Sequence, residues 1–225
     1  MIRLALDTST RLGSVALADG ERILAESTLP ARAARSETVL PEVERLLRLG
    51  GRRSEDLGSI VVGSGPGSFT GVRIAAALAK GLCFGGGLPL FAYSSLLAVA
   101  AGSGLEGNVC AAFDARRDEV YGAAYRRVAP PQAEIEPAAL PLGELLARVQ
   151  VSEWTFAGDG ALKHRDVIER HGGRVLPAPF AAPRAAALLW LAWACPEAGR
   201  VGRPADWEPE YVRRSGALRA LERAG

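Results

Sequence analysis

The chain has 225 residues, of which 48% are hydrophobic and 23% are charged, and its formal net charge is +2. This length and composition are those of an ordinary folded protein with one large domain or two small ones. The balanced charge does not indicate an overall electrostatic attraction to nucleic acid, and the three scattered cysteines favour neither a disulfide framework nor a zinc-binding pair. The apolar run 185–195 is too short to cross a bilayer and no secretory leader is recognisable, so we expect a cytoplasmic protein without a membrane segment.

The first half of the chain shows strand periodicity three times and then alternates between helices and strands. Asp19-Gly20 is a hairpin turn between the second and third strands. Ser36 can cap the helix that follows, and Gly50 ends it. The pattern predicts strands over 2–6, 13–18 and 22–29, the helix from Ser36, a strand over 59–62, a helix over 74–84, a strand over 88–92 and a helix over 94–100.

The second half repeats this order of elements. It predicts strands over 108–113, 119–127 and 154–157, with helices over 142–149 and after residue 160, but the expected third strand cannot be placed within 128–141. Asp114 ends its strand as Asp7 ends the first strand, and the glycine turn 158–160 corresponds to 65–67. Two matches in the same order indicate a duplicated unit. We therefore expect lobes of residues 1–103 and 104–225, with the C-terminal tail packing back on the first lobe.

This duplicated α/β unit resembles the fold of actin, hexokinase and the heat-shock ATPases (the ASKHA fold), in which each lobe is a mixed sheet with flanking helices. Members of that fold bind their ligand between the lobes, and an acid from each lobe holds a phosphate-bound cation or acts as general base. Asp7 and Asp114 would supply those acids. The alternative is that each aspartate caps a turn, since Asp7 precedes Thr8-Ser9-Thr10.

A glycine-rich loop, residues 63–73, stands between a predicted strand and a predicted helix. That order is typical of phosphate sites, because backbone N–H groups and the positive end of the helix point at the ligand. The loop nevertheless lacks the Lys-Ser/Thr of a Walker loop, the third glycine of a dinucleotide fingerprint and the spacing of a hydrolase elbow. A peptidase reading would use Ser68 or Thr70 as nucleophile, but no histidine lies nearby in the sequence. We expect glycine for its backbone geometry at Gly65, Gly67 and Gly71.

Several segments together resemble one family, TsaB, also called YeaZ. The glycine run beside Arg73 is the specific part, and the other segments are individually weak. Where the family often has histidine before Ser36-Glu37, this chain has Arg35. The segments that carry the resemblance are 5–10, 14–17, 36–37, 40–41, 46–47, 65–74, 79–82, 94–96, 114–121 and the tail 209–214.

The resemblance implies a non-catalytic subunit in the synthesis of threonylcarbamoyladenosine in tRNA. Such a subunit binds and helps to activate TsaD, a sister protein of the same fold that modifies the adenosine next to the anticodon, with TsaE as ATPase. It forms a homodimer when alone, and it reaches tRNA through the complex. The resemblance implies that no cofactor is firmly bound and that ATP or ADP binds only in the complex. His164 and His171 lack the spacing of a zinc helix, so we expect no metal. The alternative is a small-molecule kinase or carbamoyl transferase that uses Asp7 or Asp114 as base.

Members of the TsaB family pair through their first two helices, and the resemblance implies that the same two helices of this chain contact a partner. The first helix carries an apolar stripe, and the second is rich in alanine and glycine, so another backbone can approach it closely. The alternative is that both helices only pack on their own sheet. The predicted partner-facing residues are Val39, Val43, Leu46, Leu47, Arg73, Ile74, Ala75, Leu78, Ala79 and Leu82.

Overall fold

The structure of the chain is a computed structural model that describes residues 1–30, 36–104, 107–116, 118–126 and 131–212. Arg35, at which the sequence departs from the family pattern, and Arg213 and Arg214 of the tail motif lie outside the described residues.

The first half of the chain builds a five-stranded mixed sheet of order β3-β2-β1-β4-β5. β1 pairs antiparallel with β2 and parallel with β4, so the first hairpin and the later crossover strand lie on opposite sides of it. The elements are β1 (Ile2–Asp7), β2 (Leu12–Asp19), β3 (Arg22–Pro30), α1 (Ser36–Leu49), β4 (Leu57–Gly63), α2 (Phe69–Gly86), β5 (Leu90–Tyr93) and α3 (Ser95–Gly102).

The second half builds the same sheet again, in the order β10-β9-β6-β7-β8. A short 3-10 helix covers Ser54–Asp56 in the first half, and two more cover Val151–Glu153 and Ala178–Phe180 in the second half. The elements are β6 (Asn108–Asp114), β7 (Glu119–Arg126), β8 (Gln132–Pro141), α4 (Leu142–Ala147), β9 (Trp154–Ala157), α5 (Asp159–Lys163), α6 (Arg165–Arg170), β10 (Arg174–Val175), α7 (Ala185–Ala194) and α8 (Pro196–Gly199). The predicted duplication is therefore confirmed.

The strand that the sequence failed to place is β8. Among the described strands it pairs only with β7, and it forms the edge of the second sheet. An edge strand tolerates proline, because one side of its backbone needs no partner, and Pro137 lies within β8 while Pro141 ends it. The prolines that obscured the strand in the sequence are thus compatible with its position.

Two helices, α3 and α7, lie between the two sheets. α1 and α2 pack on one face of the first sheet, and α7 packs on the other face through Leu188 and Leu191. α3 packs against the second sheet, with Leu96 and Val99 beside Phe113 of β6. α7 thus comes from the second half of the chain but covers the first sheet, and α3 does the reverse. Within the described residues no helix is both long and apolar enough to cross a membrane.

The segment after α8 runs along the first lobe. The Val201 N–H donates to the Leu90 carbonyl at 3.0 Å, Lys80 Nζ lies 2.9 Å from Glu208 Oε1, and the Glu210 N–H donates to the Ser64 carbonyl at 3.0 Å. These contacts bring the described part of the tail to β5, α2 and the glycine loop. The lobe boundary at residue 103 stays a prediction.

Candidate functional site

The acid at the end of β1 is enclosed by the chain itself. Asp7 has no exposed surface. Its Oδ1 accepts hydrogen bonds from the backbone N–H of Ser9 at 2.7 Å and from the Ser9 hydroxyl at 2.6 Å. Its Oδ2 accepts from the Ser95 hydroxyl at 2.6 Å. Burial raises the pKa of Asp7 above its ordinary value, and the hydrogen bonds from Ser9 and Ser95 oppose that shift. Asp7 therefore closes a turn and joins it to the start of α3.

The glycine loop packs directly on that turn. A Cβ on Gly71 would lie 1.9 Å from the Thr8 carbonyl oxygen, and one on Gly67 would lie 2.2 Å from the Ser9 carbonyl oxygen. Gly65 has a φ of +92°, a conformation that favours glycine. The Thr8 hydroxyl also donates to the Gly71 carbonyl at 2.6 Å. Glycine at these positions lets two backbone segments approach without a side chain between them.

Three N–H groups of the loop donate hydrogen bonds within the chain. Ser64 donates to the Tyr93 carbonyl at 2.8 Å, and Ser68 donates to the Ser9 carbonyl at 2.7 Å. Gly65 donates to the Ser95 hydroxyl at 3.2 Å. A phosphate loop must keep such donors available for its ligand. These three donors instead attach the loop to the turn after β1, to β5 and to α3.

The acid at the end of β6 has a different environment. Asp114 is partly exposed, and its Oδ1 accepts from Lys163 Nζ and from the Arg116 N–H, each at 3.0 Å. Burial alone would raise the pKa of Asp114, but the hydrogen bonds from Lys163 and Arg116 outweigh it, so the pKa lies below its ordinary value. Burial raises the pKa of the neighbouring Asp159, which accepts from the Asp114 N–H. An ionised carboxylate paired with a lysine therefore lies at this strand end.

The peptidase and metal readings gain no geometric support. The Ser68 hydroxyl accepts from the Gly71 N–H at 3.4 Å and so caps α2. His171 Nδ1 contacts the Val167 carbonyl at 2.8 Å, and His164 Nε2 is buried. Over the described ranges, no three histidine, cysteine or acidic side chains are grouped so that they could hold a metal ion.

Six of the ten predicted partner-facing side chains belong to the core of the first lobe, which corrects their assignment. They are buried because the first sheet takes the apolar stripe of α1 and the inner alanines of α2. Such side chains offer no surface to a partner. The six are Val39, Val43, Leu46, Leu47, Ala75 and Ala79.

The outer face of α2 is the exposed surface that remains. Arg73 is exposed, and Ile74, Leu78 and Leu82 are half-buried at the edge of the core. Their partner role stays a prediction. The sequence analysis did not identify the other residues of this outer face. They lie at helical spacing from Arg73, and that spacing was the signal that could have identified them. They are Phe69, Thr70, Ala77, Gly81 and Phe84, of which Phe84 is 92% exposed.

Comparisons with known proteins agree with this architecture. A family model described as "TsaD: tRNA N6-adenosine threonylcarbamoyltransferase" matches residues 23–199. The chain is 32% identical over 225 residues to the tRNA threonylcarbamoyladenosine biosynthesis protein TsaB of Escherichia coli (strain K12), with 97% of each chain covered. It is 39% identical over 127 residues to the protein of the same name from Bacillus subtilis (strain 168), with 56% of each covered.

Two solved structures from Pseudomonas aeruginosa share the fold. YeaZ is 35% identical, with a TM-score of 0.78 over 93% of this chain and 99% of that one. A protein described as uncharacterised, with similarity to peptidase YeaZ, is 34% identical, with a TM-score of 0.79 over 94% of this chain and 99% of that one. The duplicated sheets and these likenesses establish the ASKHA-like α/β fold. The chain belongs to the TsaB (YeaZ) family, within the wider group that the TsaD model describes.

Proposed function

We propose that the chain is a non-catalytic subunit in the biosynthesis of threonylcarbamoyladenosine in tRNA. In this proposal it binds TsaD, helps to activate it, and works with TsaE as the ATPase. It acts in the cytoplasm, and it meets tRNA and ATP or ADP only within the complex. Membership of the TsaB family supports the pathway, and the chemistry of the strand ends supports the lack of catalysis.

The observation that carries the proposal is the burial and hydrogen bonding of Asp7. Both carboxylate oxygens are hydrogen-bonded within the chain, and the side chain has no exposed surface. A general base must reach the proton that it removes, and a carboxylate that holds a bound cation must have an oxygen free to do so. Asp7 meets neither requirement, so its geometry supports a structural role.

The proposed docking surface lies on the outer face of α2 and consists of Phe69, Arg73, Ala77, Gly81 and Phe84. Ala77 and Gly81 carry too little side chain to keep another helix at a distance, and exposed Phe69 and Phe84 stand at the two ends. A surface of this kind can pair with its own copy about a two-fold axis. Since the TsaD model matches most of the chain, a TsaD helix could take the place of that copy. The homodimer and the TsaD heterodimer would then compete for α2.

Co-purification with TsaD from a purified mixture tests this proposal. Ala77→Arg places a long cation in the centre of the surface, and we expect at least about tenfold weaker binding to TsaD and loss of the homodimer. Ala133→Arg makes the same change at an exposed position of β8 and serves as the matched control. Failure of the wild-type chain to bind TsaD, or equal binding by both variants, would contradict the proposal.

The rival enzyme hypothesis has one supporting observation, the ionised and partly exposed Asp114. Lys163 already pairs with that carboxylate, and this pairing weakens the attraction of the carboxylate for a magnesium ion. Calorimetry of the isolated chain with magnesium ATP separates the two hypotheses. We expect no binding in the micromolar range. Tight binding that Asp114→Asn abolishes would favour the enzyme.

A further inference from the structure

The C-terminal strap, defined here as residues 205–211, joins two segments that are distant in the chain. Lys80 of α2 holds it at one end, because Nζ donates to the Ala205 carbonyl at 3.3 Å and to Glu208 Oε1 at 2.9 Å. At the other end the Glu210 N–H donates to the Ser64 carbonyl at 3.0 Å. A Cβ on Gly65 would lie 3.3 Å from the Glu210 carbonyl oxygen, so the strap rests on the glycine loop itself.

The strap ends in a small side-chain cluster at the first turn of α2. The ring centroids of Phe69 and Tyr211 are 5.5 Å apart with a tilt of 43° between the planes. The guanidinium carbon of Arg73 lies 5.1 Å from the centroid of the Phe69 ring. Such aromatic and cation–π contacts orient side chains even where they are exposed. Phe69 and Tyr211 remain 51% and 43% exposed, so they are ordered by each other and still face solvent.

The chemistry of this cluster resembles that of binding hot spots, which are enriched in tyrosine and arginine. Arg73 is exposed and makes no ion pair with the described residues, so its guanidinium retains donors suited to a carboxylate. The Phe69 ring beside it offers an apolar contact to the same partner. A protein surface that presents an Asp or Glu next to an aliphatic side chain fits this arrangement.

We propose that Phe69, Arg73 and Tyr211 form one recognition cluster for such a surface, and that the strap, through Tyr211, is the positioning element that orients Phe69 and Arg73. The proposal rests on the proposed function, in which α2 faces TsaD, and it adds a contribution from the far C-terminal end of the described chain. Without the strap, Phe69 loses its ring partner and the first turn of α2 loses one of its supports. Partner affinity therefore depends on a residue outside the helix that makes the contact.

Affinity for TsaD measured with a set of variants tests the recognition cluster. Tyr211→Ala and Arg73→Gln should each weaken binding by about tenfold. The double variant should be weaker by clearly less than the product of the two effects, because loss of Tyr211 already removes the orientation of Arg73 that makes its contact effective. Tyr211→Phe keeps the ring and should bind as the wild type does. Arg174→Gln removes an exposed cation from the edge strand β10 and is the matched control for charge.

Hydrogen exchange of the isolated chain tests the strap without any partner. Tyr211→Ala should speed exchange of amides in residues 64–72 at least about threefold and leave those of β6 unchanged, because local opening follows local contacts. Unchanged exchange, or TsaD affinity equal to that of the wild type, would overturn this inference. Failure of the wild-type chain to bind TsaD would instead refute the proposed function. The exchange result would still show whether Tyr211 of the strap supports the glycine loop and the first turn of α2.

Discussion

The ends of β1 and β6 occupy the same place in the two copies of one topology, yet their aspartates do different things. Asp7 is fully buried and accepts three hydrogen bonds from two serines. Asp114 is partly exposed and pairs with Lys163. The pKa of Asp7 lies above its ordinary value and that of Asp114 lies below it. Equivalent position in a duplicated fold therefore does not imply equivalent chemistry.

The backbone around the two acids is more alike than the acids themselves. In the first lobe Gly71 approaches the Thr8 carbonyl, and in the second lobe Gly158 approaches the Ala112 carbonyl, where a Cβ would lie 2.0 Å from the oxygen. Each glycine lets the loop after one strand close on the segment that carries the aspartate. The positions are not equivalent, since Thr8 follows Asp7 whereas Ala112 lies two residues before Asp114, but each approach brings a glycine against the backbone beside an acid.

The largest contrast is expected from removing the two carboxylates. Asp7→Ala leaves the Ser9 N–H and the two serine hydroxyls without their acceptor in a buried site, and should lower the free energy of unfolding by about 4 kcal/mol. Asp114→Ala removes a partly exposed ion pair and should lower it by less than about 1 kcal/mol. Urea denaturation at neutral pH measures both. Equal losses would contradict the distinction between a structural and a solvent-facing acid.

A smaller effect is expected where the lobes are alike. Gly71→Ala and Gly158→Ala each press a Cβ onto a backbone oxygen, and each should lower the free energy of unfolding by about 2 to 3 kcal/mol. Gly158 also has a φ of +119°, which adds strain to its variant. Gly143→Ala in α4 is the control, because nothing lies within 4 Å of its Cβ and alanine favours a helix. Thermal unfolding should show Gly143→Ala at or above the wild type, and a loss there as large as at Gly71 would refute this account.

The smallest contrast is the dependence of stability on pH. Because the pKa of Asp114 is lowered by folding, its stabilising contribution is present above the ordinary value of 3.8 and is lost as pH falls through the folded pKa. Because the pKa of Asp7 is raised, its contribution grows as pH falls and is lost as pH rises through the folded pKa. The stability difference between wild type and Asp114→Asn should shrink on acidification, whereas that between wild type and Asp7→Asn should grow. Parallel slopes in denaturation series between pH 3 and pH 7 would contradict the opposite shifts.

The topology was predictable because its signals are local. Apolar strands that end in aspartate and glycine turns after strands recur in both halves, and these patterns need no knowledge of distant contacts. β8 was not predictable because Pro137 argues against a strand unless its edge position is known. The Tyr211–Phe69 contact joins positions too far apart in the chain for any periodicity to connect them.

The direction in which α1 and α2 face was the part that the sequence left open. An amphipathic helix has one apolar stripe, and the nearest sheet takes it, so Val43 and Leu46 turn inward. In α2, alanines occur on both faces, and the pattern offers no contrast between buried Ala75 and exposed Ala77. A variant with a large charge at Ala75 should therefore fail to fold, whereas the same change at Ala77 leaves the core intact.

The most direct test of the central claim is the formation of threonylcarbamoyladenosine in a purified mixture of this chain, TsaD, TsaE, ATP, the threonylcarbamoyl donor and unmodified tRNA. If the chain contributes a surface and no reactive group, Asp114→Asn should support modification at the wild-type rate, and Ala77→Arg should lower the rate in step with its weaker binding to TsaD. Loss of modification with Asp114→Asn while TsaD binding is intact would contradict the claim.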